Sequence, residues 1–458
     1  MSAQTLADLS DVTGQVIRPG DANYDKARTV FLGGVDRRPA VIIRVANNGD
    51  VSRVIALARD TGMPLAVRSG GHSGAAHSLV DDGIVLDLAD MRALKIDAQR
   101  RTASAETGLT AAEFSKAADE HGLAVGFGDT GSVGIGGITL GGGVGYLVRK
   151  YGLTIDDLLA ADIVTADGEL RHVNAESEPD LFWAIRGGGG NFGVATRFQY
   201  RLRPVGAIVG GMMMLPATAD VIASFIALSE EAPEELTTIA NVMPAPPMPF
   251  VPAEHHGKLV IFAMLCFAGV AEAGERAVAP FRALATPIVD MVKPGRYPEM
   301  YPPDDENYHP LATSRTMFID KVDRGVADVI LEHLSASTAP MRVAQLRMLG
   351  GAMARVPVEA TAFAHRRSRI MVNCAAICER PEEMAMHAPW VSEFAAALRQ
   401  GDTGAYVNFL ADEGAARVRA AYPGSTWDRL RAIKTRYDPT NLFRLNQNIP
   451  PSEGQSKR

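Results

Sequence analysis

The sequence predicts an α+β protein of two domains, and three observations lead to this fold class. Between about residues 38 and 204, short β-rich runs alternate with amphipathic helical patterns. Between about residues 206 and 405, longer strands mix with alanine-rich helices and a proline-rich stretch at 244–252. Three dense glycine segments lie in the first of these regions. The texture of the second region suits an antiparallel sheet covered by helices on one side, with long loops over a binding site.

The strands are predicted from runs that are rich in β-branched and apolar residues and bounded by turn residues. We expect strands at residues 41–45, 64–68, 84–88, 207–215, 258–267 and 369–375.

Helices are predicted where apolar residues recur at helical spacing behind a capping residue. The first runs from Asn48, where Asn48-Gly49-Asp50 forms the cap, to about Arg59. The second runs from Thr110 to Glu120, with Thr110 as its N-cap. A further helical segment is expected from about residue 415 onward.

Composition excludes several classes of function. The 458 residues carry 22% charged side chains and a net charge of −7, with no run of five or six like charges, so no nucleic-acid or polybasic membrane surface is expected. No apolar stretch is long enough to span a bilayer. The first eleven residues lack the features of a signal peptide, which favours a cytoplasmic location. We expect a monomer or a homodimer.

Cysteine and histidine spacing gives no sign of a metal site. Three cysteines are too few for a disulfide framework, and Cys374 and Cys378 are predicted to be buried hydrophobes on one face of a strand. The ten histidines do not form a zinc motif. No metal is therefore expected.

The glycine segments lie at residues 70–74, 126–145 and 186–194. The central run does not match a dinucleotide-binding fingerprint, because it follows another glycine-rich stretch and no amphipathic helix is predicted after it. Glycine at this density is expected where backbone N–H groups must approach an anion closely. Together the three segments indicate one extended, phosphate-containing ligand.

Several motifs in this chain match one known family. The chain resembles the berberine-bridge-enzyme-like branch of the vanillyl-alcohol-oxidase type flavoproteins, whose FAD-binding region is of the PCMH type. The resemblance rests on Arg68-Ser69-Gly70-Gly71-His72, Val133-Gly134-Ile135-Gly136-Gly137-Ile138-Thr139-Leu140-Gly141-Gly142-Gly143, Arg149-Lys150-Tyr151-Gly152-Leu153, Leu181-Phe182-Trp183-Ala184-Ile185-Arg186-Gly187-Gly188-Gly189 and Asn446-Gln447-Asn448-Ile449.

The resemblance implies a split FAD-binding domain around a substrate domain. Residues 1–205 and 411–458 would hold FAD, and residues 206–410 would cover the flavin ring. His72 would bond to the 8α-methyl carbon of the flavin. Many relatives make a second bond, to flavin C6, through a cysteine whose position is occupied here by Thr130, so attachment through His72 only is expected.

The same resemblance implies which residues contact FAD. They are Arg68, Ser69, Gly70, Gly71, His72, Ser73, Thr130, Gly131, Val133, Gly134, Gly136, Gly137, Leu140, Gly141, Gly145, Gly193, Val194, Asn446 and Asn448.

The reaction that the resemblance implies is hydride transfer from a C–H bond beside nitrogen or oxygen to flavin N5. Val133 occupies the position that is thought to control oxygen access, and a valine there favours an oxidase that uses O2 and releases H2O2. An alcohol substrate needs a base for its hydroxyl proton. The two tyrosines that usually act as this base in the family are replaced here by Phe409 and Val144. Their replacement slightly favours an amine or a nitrogen heterocycle as substrate.

Three residues are candidates for a replacement base, namely Tyr146, Tyr406 and His365. Each has an alternative: the two tyrosines can be packed aromatics, and His365 can be a surface histidine. Arg366 is a candidate for an anionic substrate, but a solvated arginine is the simpler interpretation. Two other functions stay open, a sugar or alcohol oxidase with a replacement base and a flavin-containing binding protein without catalysis.

Overall fold

The computed structural model describes residues 9–303 and 305–452. The predicted absence of a signal peptide concerns residues 1–11, and most of these lie outside the described range. Within them, the mixture of helices and largely antiparallel sheets confirms the α+β class.

A four-stranded sheet opens the fold. Its strands are β1 (Gln15–Ile17), β2 (Val41–Arg44), β3 (Leu65–Arg68) and β4 (Ile84–Asp87). The order is β1-β2-β4-β3, with β2, β4 and β3 parallel and β1 antiparallel to β2. β4 is buried along its whole length, as expected for a parallel strand that is covered on both faces. The three strands predicted in this part are confirmed to within one residue.

A second sheet follows along the chain. The next strands are β5 (Leu94–Asp97), β6 (Thr102–Glu106), β7 (Leu123–Ala124), β8 (Leu158–Val164), β9 (Leu170–Asn174), β10 (Val194–Arg201) and β11 (Arg203–Pro204). Five of them form an antiparallel sheet in the order β5-β6-β10-β8-β9, while β7 pairs with β11.

The largest sheet lies in the middle of the chain. Its strands are β12 (Ala207–Pro216), β13 (Leu236–Pro244), β14 (Leu259–Ala268), β15 (Val289–Asp290), β16 (Lys293–Arg296), β17 (Leu311–Ile319), β18 (Met341–Met348) and β19 (Ile370–Cys378). The order is β15-β12-β14-β13-β18-β19-β17, β16 also pairs with β12, and every pair is antiparallel. This sheet confirms the three strands predicted for the region, although β19 extends to Cys378.

The helices are placed around these sheets. They are α1 (Tyr24–Ala27), α2 (Asn48–Thr61), α3 (Ala111–Asp119), α4 (Ile135–Leu140), α5 (Val148–Tyr151), α6 (Pro179–Ala184), α7 (Ala219–Glu231), α8 (Ala271–Arg282), α9 (Arg324–Ala336), α10 (Ala352–Arg355), α11 (Pro381–Ala397), α12 (Ala415–Ala421) and α13 (Ser425–Tyr437). Short 3₁₀ turns occur at Thr154–Asp156, Ala253–His255, Tyr297–Met300, Val358–Ala360 and Val407–Phe409.

Capping explains where the predicted helices begin. Thr110 caps α3 with a complete capping box, since its hydroxyl accepts from the Glu113 N–H and the Glu113 carboxylate accepts from the Thr110 N–H. The predicted cap of α2 was one residue too late. The cap is Asn47, which has extended backbone angles and accepts from the Asp50 N–H, so Asn48 is already helical.

The two faces of the large sheet differ in composition. One face packs against α7, α8, α9 and α11 through residues such as Phe225, Phe281, Leu334 and Phe394. Cys374 belongs to this core, and Cys374 and Cys378 are buried and free, as predicted. Cys266 is also buried and free. The opposite face looks toward the N-terminal sheets and carries polar side chains, which are described below.

Within residues 9–303 and 305–452, no helix combines the length and apolar character that crossing a bilayer requires. No group of three or more His, Cys, Asp or Glu side chains there is arranged to hold a metal ion.

Candidate active site

A cavity of about 540 Å³ lies where the glycine segments, the C-terminal tail and the polar face of the large sheet meet. The structure brings most of the residues that the sequence assigned to a cofactor together in this one wall. Those that line it are Ser69, Gly70, Gly71, His72, Ser73, Thr130, Val133, Gly134, Gly136, Gly137, Leu140, Gly193, Val194 and Asn446.

Some of the assigned residues lie outside the cavity wall, namely Arg68, Gly131, Gly141, Gly145 and Asn448. Arg68 is buried and donates to the Asp87 carboxylate at 2.6 Å. A Cβ on Gly141 would lie 1.9 Å from Oδ1 of Asn408, so this glycine is needed for close packing. Asn448 keeps a buried Oδ1 without a hydrogen-bond partner.

His72 lies on the turn that follows β3. Gly71 has φ +71°, a left-handed conformation that favours glycine and lets the chain turn sharply before the histidine. The imidazole stacks on Phe31, with ring centroids 4.1 Å apart and ring planes 17° from parallel. Burial lowers the pKa of His72 to about 4, although a hydrogen bond with the Ser132 backbone acts in the opposite direction. The imidazole is therefore neutral at pH 7.

Two glycine segments meet backbone to backbone beside this histidine. A Cβ on Gly70 would lie 2.2 Å from the backbone N of Gly134, so neither position has room for a side chain. Ser69 links the segments, because its hydroxyl donates to the Thr107 carbonyl at 2.6 Å and accepts from the Gly136 N–H at 3.3 Å. The central glycine run also forms α4, a helix that the sequence interpretation did not expect there. Its buried Ile135 and Leu140 anchor the short helix against the core.

The C-terminal tail is fastened to the third glycine segment by one buried cluster. Lys434 and Asp438 form a fully buried ion pair at 2.7 Å. The Lys434 ammonium also donates to the backbone carbonyls of Asn191 and Phe443. The Asn191 side chain donates to the Gln447 carbonyl and accepts from the Ile449 N–H. This cluster fixes Asn446 and Gln447 in the cavity wall.

The two tyrosine candidates are both buried, and burial raises both pKa values, which keeps the hydroxyls protonated. Tyr406 lines the cavity, and its hydroxyl accepts from the Gly143 N–H and from the Asn408 amide, each at 3.0 Å. Tyr146 does not line the cavity. Its pKa is raised first by burial and then by the negative charge of Asp129.

His365 and Arg366 are both buried, so the interpretations of His365 as a surface histidine and of Arg366 as a solvated arginine were wrong. His365 is buried, its Nε2 lies 3.0 Å from the Ala421 carbonyl, and it borders a different pocket from the cavity that His72 lines. Arg366 is fully buried and makes two hydrogen bonds of 2.7 Å to the Asp156 carboxylate. Both residues follow Phe363 in the sequence, and Phe363 packs against Tyr406 in a buried cluster. The segment that contains His365 and Arg366 therefore lies in the interior.

A polar patch on the large sheet was missed by the sequence analysis. Gln345 on β18 lies directly opposite Asn241 on β13 and Asn373 on β19, so the three amides share one face of adjacent strands. Gln345, Asn373 and Ser314 line the cavity, as does Asp129 on the N-terminal side. Polar residues within otherwise apolar strands can be recognised in the sequence. However, the order of the strands in the sheet must be known before these residues can be assigned to one patch.

Two family profiles match the chain. An FAD binding domain profile matches residues 39–174, and a profile described as berberine and berberine like matches residues 405–450. The two matches contain the glycine segment with His72, the central glycine run and the tail with Asn446.

Characterised and uncharacterized proteins of similar length match along nearly the whole chain. The uncharacterized FAD-linked oxidoreductase YvdP of Bacillus subtilis is 31% identical over 460 residues, covering 97% of this chain and 99% of YvdP. The (R)-6-hydroxynicotine oxidase of Paenarthrobacter nicotinovorans is 29% identical, covering 98% and 99%.

Solved structures share the fold. The crystal structure of 6-hydroxy-D-nicotine oxidase from Arthrobacter nicotinovorans superposes with a TM-score of 0.86 at 27% identity, over 96% of this chain and 98% of that one. A xylooligosaccharide oxidase from Myceliophthora thermophila has a TM-score of 0.85 at 23% identity, over 99% of this chain and 100% of that one. At this identity, the likeness shows only that the two proteins share a fold.

Proposed function

Because the chain belongs to the berberine-like family of FAD-linked oxidoreductases, we propose that it is an oxidase for a small molecule. It takes a hydride from a C–H bond beside nitrogen or oxygen and passes the electrons to O2, which becomes H2O2. The observation that best supports this is the single cavity in which a neutral histidine, the glycine segments and a polar patch face one another.

The residues present fit FAD. Gly137 and Gly190 line the cavity, and a Cβ on either would meet open space, so the backbone leaves room for a large ligand. Backbone N–H groups in such segments suit an anionic pyrophosphate. Oδ1 of Asn446 is buried in the wall without a partner and can accept a hydrogen bond from a ligand N–H or O–H. We assign the pyrophosphate to the glycine segments and one polar edge of the cofactor to Asn446.

His72 is proposed as the only covalent anchor of FAD. Attachment to the 8α-methyl carbon requires an imidazole nitrogen with a free electron pair, and the lowered pKa of His72 keeps this form dominant at neutral pH. Thr130 lines the same cavity but has no thiol. Cys266, Cys374 and Cys378 are buried elsewhere and do not line it.

When bound, FAD accepts the hydride and delivers the electrons to oxygen, while the protein positions the substrate and manages its proton. Val133 lines the cavity, which is consistent with the expected role of this residue in oxygen access.

The substrate atom beside the C–H bond is nitrogen or oxygen. Replacement of the two usual tyrosines by Phe409 and Val144, taken alone, favours an amine. However, the Asp129 carboxylate in the cavity wall is a proton acceptor that the sequence interpretation did not consider. This carboxylate supports the second candidate function, an alcohol oxidase with a replacement base.

Oxygen consumption and H2O2 release by the purified holoenzyme, measured across primary and secondary alcohols, sugars and cyclic amines, test the proposed function. Turnover with any of these classes, with H2O2 formed in proportion to O2 consumed, is the expected result. Tight binding of several compounds without any flavin reduction would instead identify a flavin-containing binding protein.

A further inference from the structure

Asp129 is the charged side chain of the cavity wall. Among the residues that line the cavity in the described part of the chain, no other aspartate, glutamate, lysine or arginine occurs. The Asp129 side chain is 26% exposed, and it lies between Gly128 and Thr130, which also line the wall. A ligand in this cavity therefore meets one carboxylate among amides, hydroxyls, histidines and apolar groups.

Arg347 holds this carboxylate from behind. Its buried guanidinium donates to Oδ2 of Asp129 at 2.5 Å and to Oε1 of Gln345 at 3.1 Å. The guanidinium carbon also lies 5.5 Å from the centre of the Phe409 ring. A buried arginine needs such a partner, because an unpaired charge in the interior is costly. Arg347 thus holds the Asp129 carboxylate in the cavity wall.

The amide patch is oriented by the same arginine. Gln345 accepts from Arg347, so its NH2 group points the other way and donates to Oδ1 of Asn241 at 2.9 Å. The neighbouring Asn373 keeps a buried Oδ1 without a partner. The wall beside Asp129 therefore offers a second hydrogen-bond acceptor to a ligand.

We propose that Asp129 takes the hydroxyl proton of an uncharged alcohol substrate, and this inference rests on the proposed function. The C–H bond of the carbinol carbon and the O–H bond break, and a C=O bond forms. The hydride carries two electrons to FAD, and the proton goes to the Asp129 carboxylate and then to solvent. As the hydride leaves, the hydroxyl becomes that of a protonated carbonyl, which is acidic enough for a carboxylate to accept its proton.

The charges of the site favour an uncharged substrate over an ion. An anion would face the Asp129 carboxylate without a free cation in the wall, because Arg347 is buried and already paired. An ammonium ion would be attracted by Asp129, but it would bind in the protonated form, which has no electron pair to assist hydride departure. A neutral hydroxyl can donate to the carboxylate without either penalty.

The test compares Asp129→Asn with Asp290→Asn in the holoenzyme. Asp290 is a matched control because its side chain is 28% exposed, close to the 26% of Asp129. It pairs with Arg282 at a distance of 2.6 Å, and it does not line the cavity. Anaerobic flavin reduction is followed with benzyl alcohol, cyclohexanol and benzylamine. We expect alcohols to reduce the wild-type flavin and Asp129→Asn to lower this rate constant by about 10²- to 10⁴-fold. Flavin content and Asp290→Asn should match the wild type.

Binding of phenol provides a readout that does not depend on turnover. Phenol carries a hydroxyl proton but no carbinol C–H, and its binding is followed through the flavin absorbance. Asp129→Asn should weaken phenol binding about tenfold or more, as loss of a charge-assisted hydrogen bond predicts.

The outcomes separate the two proposals. Equal phenol affinity in wild type and Asp129→Asn, or alcohol oxidation at the wild-type rate by this variant, would overturn the role of Asp129. Reduction by benzylamine alone, unaffected by Asp129→Asn, would overturn it while leaving the proposed function intact. If no compound reduces the flavin, the proposed function fails, and the phenol titration still decides whether Asp129 binds a hydroxyl.

Arg347 acts as a positioning residue for Asp129. Arg347→Lys retains a cation behind the carboxylate and should therefore keep a larger fraction of the wild-type kcat than Arg347→Met. In both variants, KM should change less than kcat. Equal losses in both variants, at unchanged melting temperature, would contradict a positioning role.

Discussion

The imidazole of His72 stacks on the ring of Phe31 at a centroid distance of 4.1 Å, and this contact covers one face of the proposed covalent anchor. Phe31 precedes any motif that identifies the family, and its N–H donates to the Gly71 carbonyl at 3.2 Å. The loop that carries Phe31 is thereby joined to the histidine turn. The stack accounts for part of the burial that keeps the imidazole neutral.

Replacement of His72 by alanine is expected to abolish covalent attachment of FAD. After acid precipitation, the wild-type pellet should be yellow and the His72→Ala pellet colourless, because the nucleophilic nitrogen is lost. His77 lines the same cavity five residues further on, so His77→Ala is the matched control and should give a yellow pellet. A yellow His72→Ala pellet would contradict the assignment.

The rate of covalent attachment is expected to be nearly independent of pH between 5 and 8. Only the neutral imidazole is a nucleophile, and with a pKa of about 4 this form dominates throughout that range. A histidine with the ordinary pKa near 6.5 would lose about tenfold in rate for each pH unit below it. The measurement uses protein produced under riboflavin depletion, saturating FAD and the flavin fluorescence of the denatured band.

Replacement of Phe31 by alanine tests the cause of that behaviour. Burial is the main reason for the lowered pKa of His72, so opening one face of the ring to water should move this pKa back toward 6.5. Attachment in Phe31→Ala should therefore be slower at pH 5 than at pH 8. A profile as flat as that of the wild type would show that Phe31 is not responsible.

Lys434→Met is expected to lower the free energy of unfolding by about 3–5 kcal/mol, because it removes the only cation paired with the buried Asp438 carboxylate among the described residues. The measurement is urea denaturation of the holoenzyme. Lys321→Met is the control, since its ion pair with Asp323 is largely exposed and should change stability little. Equal stability of the two variants would contradict the view that this cluster fastens the tail.

The sequence identified residues that belong to local motifs and missed residues that only packing between distant strands brings together. The family resemblance singled out His72, Thr130 and the glycine segments, and His72, Thr130 and glycines of all three segments line one cavity. By contrast, the amide patch joins residues that are far apart in the sequence, since more than a hundred residues separate Asn241 from Asn373. Only the order of the strands brings these two residues and Gln345 together. The burial of Arg366 likewise depends on Asp156, a partner that no local pattern identifies.

Introducing a cysteine at Thr130 should create a second attachment point. Thr130 lines the same cavity as His72, and the sequence resemblance implies that this is the position of the cysteine that bonds to flavin C6 in many relatives. The double variant His72→Ala, Thr130→Cys should therefore retain flavin after denaturation, whereas His72→Ala alone should not. His72→Ala, Ser132→Cys is the control, because Ser132 is two residues away and does not line the cavity. The flavin fluorescence of the denatured band and the mass of the flavin-bearing peptide provide the readout. Complete loss of flavin from the Thr130→Cys double variant would mean that this side chain does not face the reactive edge of the ring, and the threonine would then not explain single attachment.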